Sequence, residues 1–210
     1  MIRILIVDDH EIVRRGIKEV FADEFPSVRI GEAQNSRDAL EAVMAQEWDV
    51  VVLDINIPGR NGLEVLEEIR RIQPQTAVLI VSAYPEEEFA IRSFKLGAAG
   101  YLNKARASDE LVAAVKKALT GGKYVPASLA EKLAARLGSD VEQAAHESLS
   151  ARELQVLRMI ALGKTIKEIA AELSLSEKTV ATYRSRISEK LGLNSNVEIT
   201  RFAMKHKLVE

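Results

Sequence analysis

Five short apolar runs recur through the first half of the chain, at residues 2–7, 28–33, 50–54, 77–82 and 100–102. Each is followed by a stretch in which apolar residues return every three or four positions. A continuous apolar run of this length reads as a strand buried on both faces, and its alternation with amphipathic helices marks a parallel sheet covered on both sides. The pattern predicts helices over 11–23, 36–45, 62–72, 86–96 and 108–119. Ser36, Pro85 and Ser108 are placed to open the second, fourth and fifth, and Phe25-Pro26 follows the first. The predicted fold class of this half is α/β, a doubly wound five-stranded parallel sheet.

The pattern changes after Leu119. Thr120-Gly121-Gly122-Lys123-Tyr124-Val125-Pro126 is a turn-rich break. Leucines 129, 133 and 137 then suggest a helix over 127–137, and a polar stretch at 138–147 reads as linker. From Leu149 onward only the helical period remains. Ser150-Ala151-Arg152-Glu153 has the form of a capping box. Thr165 is placed to cap a short helix with Ile166, Ile169, Ala170 and Leu173 inward. After the Ser174-Leu175-Ser176 turn, Ser176 caps a longer helix with Val180, Ile187 and Leu191 inward, and a last helix is predicted over 197–205. Two helices joined by so tight a turn fit a helix-turn-helix over about 165–184. The predicted organisation is an α/β domain at 2–120, a linker at 121–147 and a small all-α domain at 148–208.

With 210 residues the chain has room for both domains. Its net charge of -2 conceals an asymmetry. Residues 1–125 carry 16 basic against 20 acidic side chains, whereas residues 146–210 carry 11 against 8, which points the second domain toward a polyanion. The absence of cysteine excludes thiol catalysis, Cys-ligated zinc and iron–sulfur clusters. His10, His146 and His206 are scattered without the spacing of a histidine metal site. No apolar run approaches the ~18 residues that span a bilayer, so no membrane association and a cytoplasmic location are expected.

In an open α/β sheet, ligands bind beyond the carboxyl ends of the strands. The first strand runs into Asp8-Asp9, the third ends in Asp54, the fourth in Ser82, and the fifth leads to Lys104. Any one of these aspartates alone is an ordinary loop former. Together they place three carboxylates, a hydroxyl and an ammonium at one sheet edge. Clustered carboxylates require a cation, and hard oxygen ligands favour Mg²⁺. A carboxylate in such a site can also act as a nucleophile toward phosphorus, with Asp54 the candidate. A Mg²⁺-dependent phosphohydrolase is the alternative. It would call for a general acid and a substrate pocket, but Asn56 stands two residues after Asp54 and no cap domain is evident.

Asp8-Asp9, Asp54 after Val-Val-Leu, Ser82-Ala83 and Tyr101-Leu102-Asn103-Lys104 resemble the receiver domain of two-component signalling over about residues 2–120. The resemblance implies a flavodoxin-like strand order, 2-1-3-4-5, and no metabolic enzyme activity. It implies phosphorylation of Asp54 by a sensor histidine kinase, and Mg²⁺ held by Asp9, Asp54 and the Asn56 backbone carbonyl, with Asp8 acting through water. Ser82 and Lys104 would bind phosphoryl oxygens, Tyr101 would track the position of Ser82, and Asn56 and Tyr84 would tune the lifetime of the phosphoryl group. Ala105 stands where many receivers carry proline.

Leu149-Ser150-Ala151-Arg152-Glu153, Val156-Leu157, Gly163-Lys164, Lys167-Glu168-Ile169-Ala170, Lys178-Thr179-Val180 and Lys190-Leu191-Gly192 resemble the LuxR-type helix-turn-helix. The two halves together are similar to the NarL/FixJ class of response regulators. The resemblance implies a transcription regulator that binds double-stranded DNA as a dimer at paired half-sites, with RNA polymerase a candidate further partner. Residues 176–192 would be the recognition helix. Lys164, Lys178 and Thr179 suit phosphate contact, and Ala181, Thr182, Ser185 and Arg186 suit base edges. Tyr183, Arg184 and Lys190 complete the exposed set. Many relatives carry lysine at 181 and histidine at 183, so their operator cannot be transferred. The dimer contact has four candidate surfaces: the first or fourth helix, the helix at 127–137, and the last helix.

Overall fold

The computed structural model describes residues 1–84, 86–126, 129–131, 149–206, 208 and 209. The chain forms two compact units, residues 1–135 and 136–210. In the first, β1 (Ile2–Val7), β2 (Val28–Ala33), β3 (Val50–Leu53), β4 (Ala77–Ser82) and β5 (Gly100–Asn103) make one parallel sheet in the order β2-β1-β3-β4-β5. Between and after them run α1 (Glu11–Glu24), α2 (Ser36–Ala45), α3 (Gly62–Ile72), α4 (Glu86–Lys95) and α5 (Ala107–Leu119). Successive side chains on a strand point to opposite faces. Ile4, Ile6, Val50, Val52, Leu79, Val81 and Leu102 meet Ile17 and Phe21 of α1 and Leu111, Ala114 and Val115 of α5 in one core. Leu5, Val7, Val51, Leu53, Val78, Ile80 and Tyr101 are equally buried and face the other way. That double burial is why these strands read as unbroken apolar runs.

Local chemistry shifts several predicted boundaries. β3 stops at Leu53, which leaves Asp54 one residue beyond the strand. Asn35, not Ser36, caps α2, because its side chain accepts from the Asp38 N–H. Ser36 is buried, and its hydroxyl accepts from the Arg60 N–H at 2.9 Å. A 3₁₀ turn, Lys104–Arg106, precedes α5, so that helix opens at Ala107 ahead of Ser108. Asn103 caps the turn by accepting from the Ala105 N–H at 2.9 Å. Proline has no such hydrogen to give, so the alanine at this position is matched to Asn103. Pro85 lies outside the described residues. Of the helix expected over 127–137, residues 129–131 are described and helical; the remainder and the 138–147 linker lie outside.

The second unit contains α6 (Ala151–Ala161), α7 (Ile166–Glu172), α8 (Glu177–Leu191) and α9 (Asn196–Lys205). Every one of them begins at a serine or threonine whose side chain accepts a backbone N–H of the first turn: Ser150, Thr165, Ser176 and Ser195. Ser150 with Glu153 and Thr165 with Glu168 form complete capping boxes. Leu154, Leu157, Ile169, Val180, Ile187, Ile199 and Ala203 are buried and form the inward stripes of the four helices. Among the described residues no helix is long and apolar enough to cross a membrane.

Candidate functional site

The strand ends of the first unit converge as the topology requires. Asp54 follows β3 and is 4% exposed; Asp8 follows β1 and is 3% exposed. Two carboxylates this deeply buried need compensating charge. Lys104 supplies it: its Nζ lies 2.7 Å from Asp54 Oδ2 and 2.6 Å from Asp8 Oδ2. The Asn56 N–H donates to Asp54 Oδ1 at 3.2 Å. Burial pushes the Asp54 carboxyl above its ordinary range and the Asp8 charge adds to this, while Lys104 and the Asn56 N–H oppose it. For Lys104, burial works against the charge, but Asp54 and Asp8 outweigh it and hold the ammonium protonated above the usual lysine range.

Asp9 stands at the more exposed rim. With Asp8 and His10 it forms a cluster whose ligand atoms all lie within 4.8 Å of one another. His10 Nδ1 is 2.7 Å from Asp9 Oδ1 and 3.2 Å from Asp8 Oδ1, and the His10 N–H donates to Asp8 at 2.9 Å. Helical spacing could not reveal this histidine, because it reaches the carboxylates through the tight turn after β1. Arg14 was also missed. Nearly buried on α1, it donates to the Asp8 backbone carbonyl at 2.8 Å and pairs with Glu32 at 3.2 Å, which ties the β1 loop to α1 and β2.

Ser82 is fully buried at the end of β4, and its hydroxyl accepts from the Tyr84 N–H at 3.2 Å. Tyr101, also fully buried, donates through its phenol to the Tyr84 carbonyl at 3.0 Å. Tyr84 thus links Ser82 to Tyr101. The sequence places all three near one sheet edge but does not reveal that the link runs through the Tyr84 peptide.

In the second unit the exposed side of α8 presents Lys178, Ala181, Thr182, Ser185 and Arg186, with Thr179, Tyr183 and Arg184 half-buried. Lys178, Thr179, Thr182, Tyr183 and Arg186 line a groove of about 310 Å³. Lys164 pairs with Glu172 across α7. Arg184 donates to Asn196 at 2.8 Å and joins α8 to α9. Lys190 stands apart from the recognition set. Its Nζ lies 2.7 Å from the 2% exposed carboxylate of Glu153, so it clamps α8 onto α6.

That clamp carries a prediction. Burial raises the Glu153 carboxyl, but Lys190 and the Ser150 N–H and hydroxyl outweigh it, leaving the group below its ordinary range. A depressed carboxylate contributes stability above its unfolded pKa and loses it as pH falls through the folded value. The helical unit is therefore expected to lose stability as pH drops through and below the ordinary glutamate range near 4. Lys190→Met is expected to cost about 2 kcal/mol at pH 7, less than a fully buried pair because the lysine is partly solvated. Thermal denaturation of the full chain at pH 7 and pH 4 checks both. A native and a variant curve that coincide at pH 7 would remove the clamp.

Comparison with known proteins agrees with this geometry. Residues 4–116 match the family described as response regulator receiver domain, and residues 147–203 match bacterial regulatory proteins, luxR family. The chain is 37% identical over 211 residues to the response regulator GacA of Pseudomonas aeruginosa, covering all of this chain and 99% of that one. It is 36% identical over 209 residues to the response regulator UvrY of Escherichia coli O6:H1, covering 99% and 96%. RcsB from Salmonella enterica serovar Typhimurium, solved bound to the promoter rprA with the phosphomimetic BeF₃⁻, superposes with a TM-score of 0.65. That match has 25% identity and covers 96% of this chain and 97% of that one. With a receiver sheet in the order 2-1-3-4-5 and a LuxR-type helix-turn-helix behind it, the chain belongs to the NarL/FixJ class of two-component response regulators, DNA-binding regulators of transcription.

Proposed function

We propose that this protein is switched by phosphorylation of Asp54 and binds paired DNA half-sites as a dimer. The observation that carries the reading is Lys104 bridging Asp54 and Asp8 at 2.7 and 2.6 Å, with the buried Ser82 paired in register with Asn103, the residue before Lys104. An Asp54 oxygen attacks the phosphorus of a kinase phosphohistidine, the imidazole leaves, and an acyl phosphate forms. Ser82 and Lys104 then donate to the new phosphoryl oxygens, and Tyr101 follows through Tyr84. The oxygen-rich donor set of Asp8, Asp9, Asp54 and the Asn56 carbonyl fits Mg²⁺. When bound, the ion neutralises charge on the transferring phosphoryl group. The test is the intact mass of the native protein after incubation with acetyl phosphate and Mg²⁺, where one added phosphoryl group is expected.

The DNA-binding reading rests on α8. We assign 2–120 to the receiver, 121–147 to the linker and 148–208 to the DNA-binding domain. Lys178 and Thr179, at the positive end of the recognition helix, hold phosphate, as does Lys164. Ala181, Thr182, Ser185 and Arg186 face base edges, with Tyr183 beside them. Lys190 is reassigned from DNA contact to the Glu153 clamp. Val197 and Met204, exposed on α9, suit a symmetric contact with a second copy. A relative solved on promoter DNA supports this use of the domain. A sensor kinase, RNA polymerase and the cytoplasm complete the proposed setting. Lys178→Ala is expected to weaken binding evenly across sequences and to lower the slope of log affinity against log salt by about 1. Titrations at several salt concentrations measure it, and an unchanged slope would take Lys178 off the phosphate.

A further inference from the structure

Beyond α5 the chain does not leave the receiver at once. It turns at Gly121 and Gly122, whose N–H groups donate to Ala118 and Lys117, and runs back along the open edge of β5. There the Tyr124 N–H donates to the Ala99 carbonyl at 2.7 Å, and Tyr124 pairs with Gly100 as a one-residue parallel strand. Gly100 makes the approach possible, since a Cβ there would lie 3.1 Å from the Tyr124 carbonyl oxygen and 2.8 Å from Leu79 Cδ2. Beside it, Lys123 Nζ sits 5.8 Å from the centre of the Phe94 ring on α4. Pro126 is buried, its carbonyl accepts from Leu129 and Ala130, and Leu129 is 1% exposed. Residues 121–126 form a strap, turned in at Gly121 and Gly122, closed at the buried Pro126, and held in its middle by a backbone hydrogen bond and a cation–π contact.

We propose that this strap is the element through which the receiver reports its phosphorylation state to the rest of the chain, an inference that rests on the Asp54 reading above. The strap meets the switch by two routes. Through β5, Ser82 connects to Tyr84, Tyr84 to Tyr101, and Tyr101 is the chain neighbour of Gly100, against which Tyr124 is paired. Through α4, the Tyr84 ring packs 5.0 Å from Phe89, five residues before Phe94 on the same helix, and Phe94 carries Lys123. A displacement of Ser82 therefore reaches both contacts in the middle of the strap. Those contacts are weak enough to exchange, and the ends are firm enough to keep the strap from detaching. On this proposal the strap exchanges this arrangement for a second one when Ser82 moves, since transmission across a domain requires an element whose equilibrium the distant site can bias.

The test uses the full chain as native protein, Tyr124→Pro, which removes the edge hydrogen bond, and Lys123→Gln, which removes the cation. Three quantities are read: phosphorylation by intact mass, hydrogen exchange of the Tyr124 amide, and affinity at fixed salt for a duplex selected from a random pool by the native protein. All three proteins should take one phosphoryl group and bind DNA within about twofold of one another without phosphodonor. The native protein should then tighten at least about fivefold with acetyl phosphate and Mg²⁺, and its Tyr124 amide should change exchange rate by a similar factor. Tyr124→Pro should lose that response, and Lys123→Gln should show part of it. A Tyr124→Pro protein that keeps the native response overturns the inference. If that variant does not fold, an unchanged Tyr124 amide in phosphorylated native protein overturns it equally. No phosphorylation of the native protein overturns the Asp54 reading and this inference together, whereas phosphorylation without any change at Tyr124 overturns this inference alone.

Discussion

Asp54→Ala is expected to fold normally, to take no phosphoryl group from acetyl phosphate and Mg²⁺, and to bind DNA identically with and without the donor. The stability half of the expectation follows from the electrostatics. Burial raises the Asp54 carboxyl despite Lys104 and the Asn56 N–H, so the ionised group opposes folding at neutral pH, and deleting it carries no penalty of that kind. Lys104 keeps Asp8 at 2.6 Å and does not become an unpaired buried cation. The functional half follows because the neighbouring carboxylates are engaged elsewhere: Asp8 pairs with Lys104 and accepts from the His10 N–H, and Asp9 is drawn toward the His10 ring. The native response, on the order of fivefold or more for an ordinary coupling free energy, should fall to none. Intact mass, a melting curve and paired titrations measure the three quantities. Phosphoryl uptake by the variant would move the acceptor elsewhere, and a retained DNA response without uptake would detach regulation from this site.

The parts of the molecule that could be read in advance are those set by short-range periodicity. Asp8, Asp54, Ser82 and Lys104 were legible because each follows an apolar run, and a parallel sheet brings the ends of such runs together. His10 and Arg14 were not. His10 depends on a turn whose direction the residue pattern does not encode, and Arg14 depends on how α1 lies against Asp8 and Glu32. Lys190 resembles any solvated lysine late on a charged helix, because the carboxylate it meets is 37 positions earlier in the chain. Ser36 resembles a cap until Asn35 is seen to make that bond and Ser36 to hold the loop after Asp54. In each case the residue type was visible and the partner was not, since the partner is chosen by packing between elements.

Gly62→Ala is expected to destabilise the receiver severely, against the intrinsic preference of a helix. Alanine exceeds glycine in helix propensity by about 1 kcal/mol, and Gly62 opens α3. Here, however, the new Cβ would stand 2.2 Å from the Asp54 carbonyl oxygen and 2.7 Å from the Ile55 Cα. Both obstacles are backbone, so no side-chain rotation relieves them. The next peptide receives the Gly62 N–H on the Ile55 carbonyl at 2.9 Å, which locks α3 to the segment after β3. Relief requires α3 or the Asp54 peptide to move, at an expected cost of about 3 kcal/mol, or roughly 10 °C or more in the melting temperature of a domain of this size. Where the variant is still folded, its phosphorylation should also be slower, because the displaced peptide carries the acceptor. Gly16→Ala supplies the opposite sign. Gly16 lies inside α1 with nothing within 4 Å of an added Cβ, so helix propensity acts alone and the melting temperature should rise by a few degrees, for about 0.5–1 kcal/mol. If both alanines shift the melting temperature in the same direction, the close approach of α3 to the Asp54 peptide is not what glycine serves at position 62.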